Sequence, residues 1–221
     1  MRRSPKPPQR YPLSSKERSS ILRVSRRLIQ RDLQLYTIVC NAGVQANDKT
    51  MTEDKFETTT HDPSAGGKYP IADVTDLDAV ARGEIPFDML SIYSSSKLFN
   101  LLHVKELARR FPNGPEIVTY TPGFTPDTGL HRYVPTIVWF FVKQYLCLLN
   151  WWRGVRNSTA AYSGSFLARL ASEASWSANG WTPGDYIRVD EVWPPSQQAC
   201  DPILGKALWD KTEEWIKPFG G

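Results

Sequence analysis

The sequence is poor in the residues that build metal cages and covalent frameworks, with three cysteines and three histidines in 221 residues. Cys40, Cys147 and Cys200 form no Cys-x-x-Cys pair and stand at no Cys/His ligand spacing, so no metal site is expected. Their odd number argues against a disulfide framework and for a reducing compartment. No apolar signal core follows the N-terminal arginines, and the expected location is cytoplasmic, with mitochondrial targeting left open. No glycine precedes Gly43, and no serine stands in a Gly-x-Ser-x-Gly elbow, which leaves a Ser/His/Asp hydrolase the weakest reading. A transmembrane helix is also missing. The most apolar stretch, Val134 to Trp152, is interrupted by Pro135, Lys143, Gln144 and Asn150, whereas a span needs about twenty residues with few such breaks.

What is present is the composition of an ordinary folded domain, 41% hydrophobic and 23% charged. The length favours one domain. Residues 1–13, with Pro5, Pro7, Pro8 and Pro12 among arginines, are expected to be a flexible basic tail, and 14–221 a single partial domain. The net charge of +4 is uneven: Met1 to Arg31 holds ten Lys/Arg against Glu17 alone. A solvated helix is the expected source, with a transit segment or an anionic-surface patch as alternatives. The basic run lacks interleaved aromatics apart from Tyr11, so no nucleic-acid partner is expected.

Periodicity then divides the chain. Ser14 and Glu17 fit a capping box before a helix bearing Ile21, Leu22, Leu28 and Ile29. Leu35 to Cys40 reads as a buried strand ending at Asn41-Ala42-Gly43. Residues 44–75 are polar and without period. A helix is expected over about Ser91 to Phe111, a strand over Ile117 to Tyr120, and a turn at Thr121-Pro122-Gly123. Further helices are expected over about Asn157 to Ser172 and Pro202 to Ile216, with a strand near Asp185 to Val189. The 134–152 stretch is expected to be a buried or lid-forming helix, with weak membrane contact as the alternative; Trp139, Phe140, Phe141 and Trp151 would suit an apolar substrate. Alternating strands and helices imply an α/β fold, a parallel sheet covered on both faces.

Tyr93 and Lys97 stand four apart in SIYSSSKLFN, on one helical face. An ammonium beside a phenol favours the phenolate, bringing a pKa of about 10 toward the range useful for proton exchange. Together, Asn41-Ala42-Gly43 at a strand end, Tyr93-Ser94-Ser95-Ser96-Lys97 on a helix and Pro122-Gly123 after a strand resemble three ordered signatures of the short-chain dehydrogenase/reductase family. YSSSKLFNLLHVKELARRF and TPGFTPDTGLHR are similar to its retinol-dehydrogenase-like and protochlorophyllide-reductase-like members, including many fungal ones. The resemblance spans approximately residues 12 to 217.

It implies a Rossmann-like fold and an oxidoreductase moving hydride between NADP(H), with NAD left open, and a carbonyl or alcohol of an apolar substrate, in a role such as secondary metabolism. Tyr93 would be the acid/base and Lys97 its partner and a ribose ligand. Asn41 would lie near the adenosine ribose, Gly123 and Thr125 beside the nicotinamide, and Thr128 near the pyrophosphate. A homo-oligomer, dimer or tetramer, is also implied. The pattern is incomplete: the first strands with their glycine-rich phosphate turn are missing, and so is one central strand with the catalytic serine, because Phe56-Glu57-Thr58 passes directly into Thr59-Thr60-His61-Asp62-Pro63. Thr58, Thr59 and Ser64 are the candidate substitute hydroxyls. The alternative is an inactive remnant, or the product of a wrongly spliced gene, acting at most as a binding protein.

Overall fold

Aspartates set the helix starts. In the computed structural model, which describes residues 37, 39, 74, 76–86, 88–127, 135–172, 176 and 179–219, Asp76 accepts from the Ala79 amide and opens α1 (Leu77–Ala81). Asp88 accepts from Ser91 N and opens α2 (Met89–Arg110). Asp201 accepts from Ile203 N and Leu204 N and opens α5 (Pro202–Ile216), with Pro202 at the first helical position, where its missing N–H costs nothing. Between them lie β1 (Thr119–Thr121), α3 (Thr136–Trp152), α4 (Ala160–Ser172), β2 (Tyr186–Arg188) and β3 (Glu191–Val192).

The sheet has the order β1-β2-β3. β1 runs parallel to β2, pairing Thr119 with Tyr186, Tyr120 with Ile187 and Thr121 with Arg188, and β3 returns antiparallel to β2. All three β2 residues are buried, and alternation sends their side chains to opposite faces. Tyr186 joins Leu98, Leu101 and Leu102 of α2, Ala199, and Leu208 of α5 on one face. Ile187 joins Phe166 and Leu170 of α4, Trp181 and, from β1, Tyr120 on the other. Both faces are thus covered, as a Rossmann-like α/β plan requires. Ile187 and Leu208 are fully enclosed, each contributing roughly 1.5–3 kcal/mol of hydrophobic stabilisation.

Three expectations are corrected. The sheet is mixed rather than wholly parallel, because the chain reverses over Val189 and Asp190 and pairs back on β2. The strand expected over 35–40 is not borne out at its two described residues: Thr37 and Val39 are exposed and in no strand, and the Thr37 hydroxyl donates to the Ala171 carbonyl at the end of α4. Of the two readings of the 134–152 stretch, a buried or a lid-forming helix, the buried one is overturned: α3 forms, but none of its residues is buried, since α2 and α5 occupy one sheet face and α4 the other. The basic tail, the first helix, Asn41, Thr58, Thr59, Ser64 and Thr128 lie outside the described residues.

Candidate functional site

The centre of the expected chemistry is the second turn of α2, where three serines separate Tyr93 from Lys97. The fully buried Ser95 donates its hydroxyl to Ser91 O at 2.9 Å, and Ser96 donates to Tyr93 O at 2.9 Å. Such local bonds let small polar residues sit in a helix without an unsatisfied group. Tyr93 and Lys97 are half-buried.

Their position relative to the sheet follows from the opposite end of α2. Tyr93, Lys97, Leu101 and Ala108 form one ridge at spacings of four, four and seven. At its lower end Gly184 comes so close that a Cβ built there would lie 3.5 Å from Ala108 Cβ. From this shared level Lys97 is eleven residues up the helix, about 16 Å at 1.5 Å per residue. Val189 is five residues up the strand, again about 16 Å. With α2 taken as antiparallel to β2, these rises put Lys97 at about the height of the carboxyl edge of the parallel strands and Tyr93 one turn beyond. In open α/β sheets that edge is where ligands bind.

The edge itself is tightly built. Gly123, with φ +68°, turns the chain out of β1; a Cβ there would meet Val189 Cγ2 at 3.1 Å and the Arg156 carbonyl at 3.6 Å. Val189, with φ 61°, is the first residue of the two-residue reversal between β2 and β3, a position suited to glycine. Its N–H donates to Thr121 O at 2.8 Å, tying the two strand ends together. Phe124 forms a parallel bridge with Asn157, and Ser158 N donates to Phe124 O at 3.0 Å. Asp127 then accepts from Ala160 N through both carboxylate oxygens, at 3.1 and 3.0 Å, capping α4. The half-buried Thr125 lies between these anchors.

Beside the edge Arg156 bridges Asp190 and, at 3.1 Å, Glu191. The Asp190 charge raises the Arg156 pKa. The hydrogen bond that Tyr162 donates to Asp190 pushes its phenol up, and burial pushes Tyr120 up. Both phenols are thereby turned away from proton exchange near neutral pH. Sequence reading missed this group: Asp127 caps a helix from 33 residues away, and Val189 sits at a turn with no turn residue to announce it.

A separate cleft of about 480 Å³ is lined by Asp76, Asp78, Asp210, Lys211 and Glu214 at the contact of α1 with α5. Its carboxylates are engaged: Asp78 accepts from Trp215 and pairs with Lys211, and Asp210 pairs with Lys206 and Arg110. The cleft is a structural ion-pair network lying apart from Tyr93.

No protein-family profile matches the chain. It is 27% identical over 217 residues to the WW domain-containing oxidoreductase of Danio rerio, covering 84% of this chain and 50% of that protein. It is 26% identical over 152 residues to protochlorophyllide reductase A of Oryza sativa subsp. japonica, covering 62% of this chain and 35% of that protein. Protochlorophyllide reductase of Avena sativa is 24% identical over 221 residues, covering 86% and 62%. The chain spans about half the length of these relatives. A crystal structure of a Mycobacterium paratuberculosis protein superposes with a TM-score of 0.49 at 20% identity, covering 80% of this chain and 65% of that one. All three distant relatives are oxidoreductases by name.

Proposed function

We propose that the chain acts as a short-chain-dehydrogenase-type oxidoreductase on the carbonyl or alcohol of an apolar substrate, with NADP(H) as cofactor. The observation that supports this reading is the α2 ridge: with the helix taken antiparallel to β2, the helix and strand rises counted from the Gly184–Ala108 contact put the Tyr93–Lys97 pair at about the height of the carboxyl ends of the parallel strands. Tyr93 hands its phenolic proton to the substrate oxygen during reduction and takes it back during oxidation. Lys97 favours the phenolate by its charge and donates to a ribose hydroxyl.

The donor set fits one end of a dinucleotide. A phenol, an ammonium, the Thr125 hydroxyl and a glycine bend suit a nicotinamide and its ribose; Gly123 and Thr125 border the ring, and Asn41 and Thr128 are assigned to the adenosine ribose and the pyrophosphate. When bound, the nicotinamide supplies or accepts the hydride. NADP is preferred over NAD through the resemblance to protochlorophyllide-reductase-like and retinol-dehydrogenase-like proteins.

A second reading has its own observation: Phe56-Glu57-Thr58 runs directly into Thr59-Thr60-His61, without the strand and serine of the family pattern. On that reading the chain is an inactive remnant. Titration with NADPH, followed by nicotinamide fluorescence, separates the two. Saturable binding that Lys97→Ala abolishes supports the enzyme; no binding at millimolar NADPH sinks it in favour of the remnant.

A further inference from the structure

The outer face of α3 is apolar and exposed, with none of the described residues packed over it. Ile137, Phe141, Tyr145, Leu148, Trp151 and Trp152 are each 63% exposed or more, and Val138 and Phe140 at least half. The helix is not loosely attached. Trp139, on its inner seam, meets the Phe124 ring edge-on at 6.4 Å, and Asn150 donates to Asn157 Oδ1 at 2.8 Å. Two contacts on one seam fix which face points outward.

We infer that this face lies in the interface of an anionic bilayer, with the helix flat on the surface. Three observations select that occupant. At 17 residues the helix is too short to cross, and among the described residues no helix is long and apolar enough to do so. Its outer face is dominated by Phe, Trp, Tyr and aliphatic side chains, which favour the headgroup–acyl boundary. The charge along this stretch of the sequence is of one sign: from Thr128 to Ser172 there is no Asp or Glu, and with Arg156 paired to Asp190 and Glu191, Arg132, Lys143 and Arg153 supply the positive charge that flanks the helix in sequence. A second copy of the chain would bring the same positive charge and be repelled, whereas anionic headgroups attract it.

The test is flotation of the full chain with vesicles of phosphatidylcholine alone or with 30% phosphatidylserine, beside gel filtration. The comparison protein is Phe141→Glu/Leu148→Glu, two exposed positions whose change leaves circular dichroism and thermal melting as in the parent. The parent is expected to float with the anionic vesicles at least tenfold more than with phosphatidylcholine, and the double variant to lose that binding at least tenfold. Equal flotation of parent and variant assigns binding to the basic N-terminal residues and overturns the inference. So does absence of flotation, and so does a parent dimer that the double substitution splits without any vesicle binding.

Discussion

Gly123 and Val189 stand against each other across the carboxyl ends of β1 and β2, both with positive φ, so closely that a Cβ on Gly123 would lie 3.1 Å from Val189 Cγ2. Val189 is itself buried and branched at Cβ, so it has little freedom to give way. Gly123→Ala combines a strained backbone with an overlap, and a loss of about 1–3 kcal/mol is expected in urea denaturation. Gly164 gives the contrast. It lies within α4 with nothing inside 4 Å of a built Cβ, and Gly164→Ala should raise stability by about 0.5–1 kcal/mol. Equal effects at the two positions would rule out the packing described for the sheet edge.

The Tyr93–Lys97 pair predicts a division between chemistry and binding. Tyr93→Phe should keep NADPH affinity within a few fold while lowering kcat by about 10²–10⁴ on any carbonyl the parent reduces. Lys97→Ala should abolish NADPH binding and turnover with it. Retention of parent kcat in Tyr93→Phe, measured in single turnovers, would remove the phenol from the reaction.

Glu106 links acid stability to the contact between α2 and α5. Its carboxylate is 2% exposed and accepts from Arg109 and Arg110, and those hydrogen bonds lower its pKa from 4.5 to about 2. A carboxyl held ionised by the fold stabilises it fully above the unfolded pKa and progressively less as pH falls from about 4.5 toward 2. Melting temperatures should therefore drop over that window, and Glu106→Gln should flatten this part of the profile. Glu106→Ala removes a buried acceptor, but Arg109 is 56% exposed and Arg110 keeps Asp210, so the cost at pH 7 should be about 1–2 kcal/mol. A parent and a Gln variant with superimposable acid profiles would show that the pair contributes nothing.

Asp127 and Asp201 perform the same local task from different distances. Removing either carboxylate frees helix-terminal amides, and Asp127→Ala or Asp201→Ala should each cost about 1 kcal/mol. Only Asp127→Ala should also raise amide exchange at Phe124 and Ser158, because it loosens the edge rather than the last helix.

How much of this could be read in advance depended on whether the determining contact was local. The bounds of α5 were legible because Asp201 and Pro202 adjoin the helix they start. The beginning of α2 was set two residues late, since Asp88 lies just after Pro86 in what reads as loop. The spacing of Tyr93 and Lys97 announced their common face, but their height against the sheet needed Gly184, far along the chain, to set the level. β3 escaped notice because its turn begins with valine where glycine would have signalled reversal. Hydrophobicity marked α3 as a helix and suggested burial. It records that side chains avoid water, and what shields them is decided elsewhere.

The bridge between Phe124 and Asn157 means that the chain leaves the sheet edge and returns to it at nearly one point. Arg156 belongs to that junction through Gly123 and Asp190, whereas α3 is a replaceable piece set on a closed socket. Its length and chemistry can be rewritten in a descendant protein without shifting the register of Thr119–Thr121 on Tyr186–Arg188. Such an arrangement lets specificity drift rapidly while the scaffold beneath it stays put.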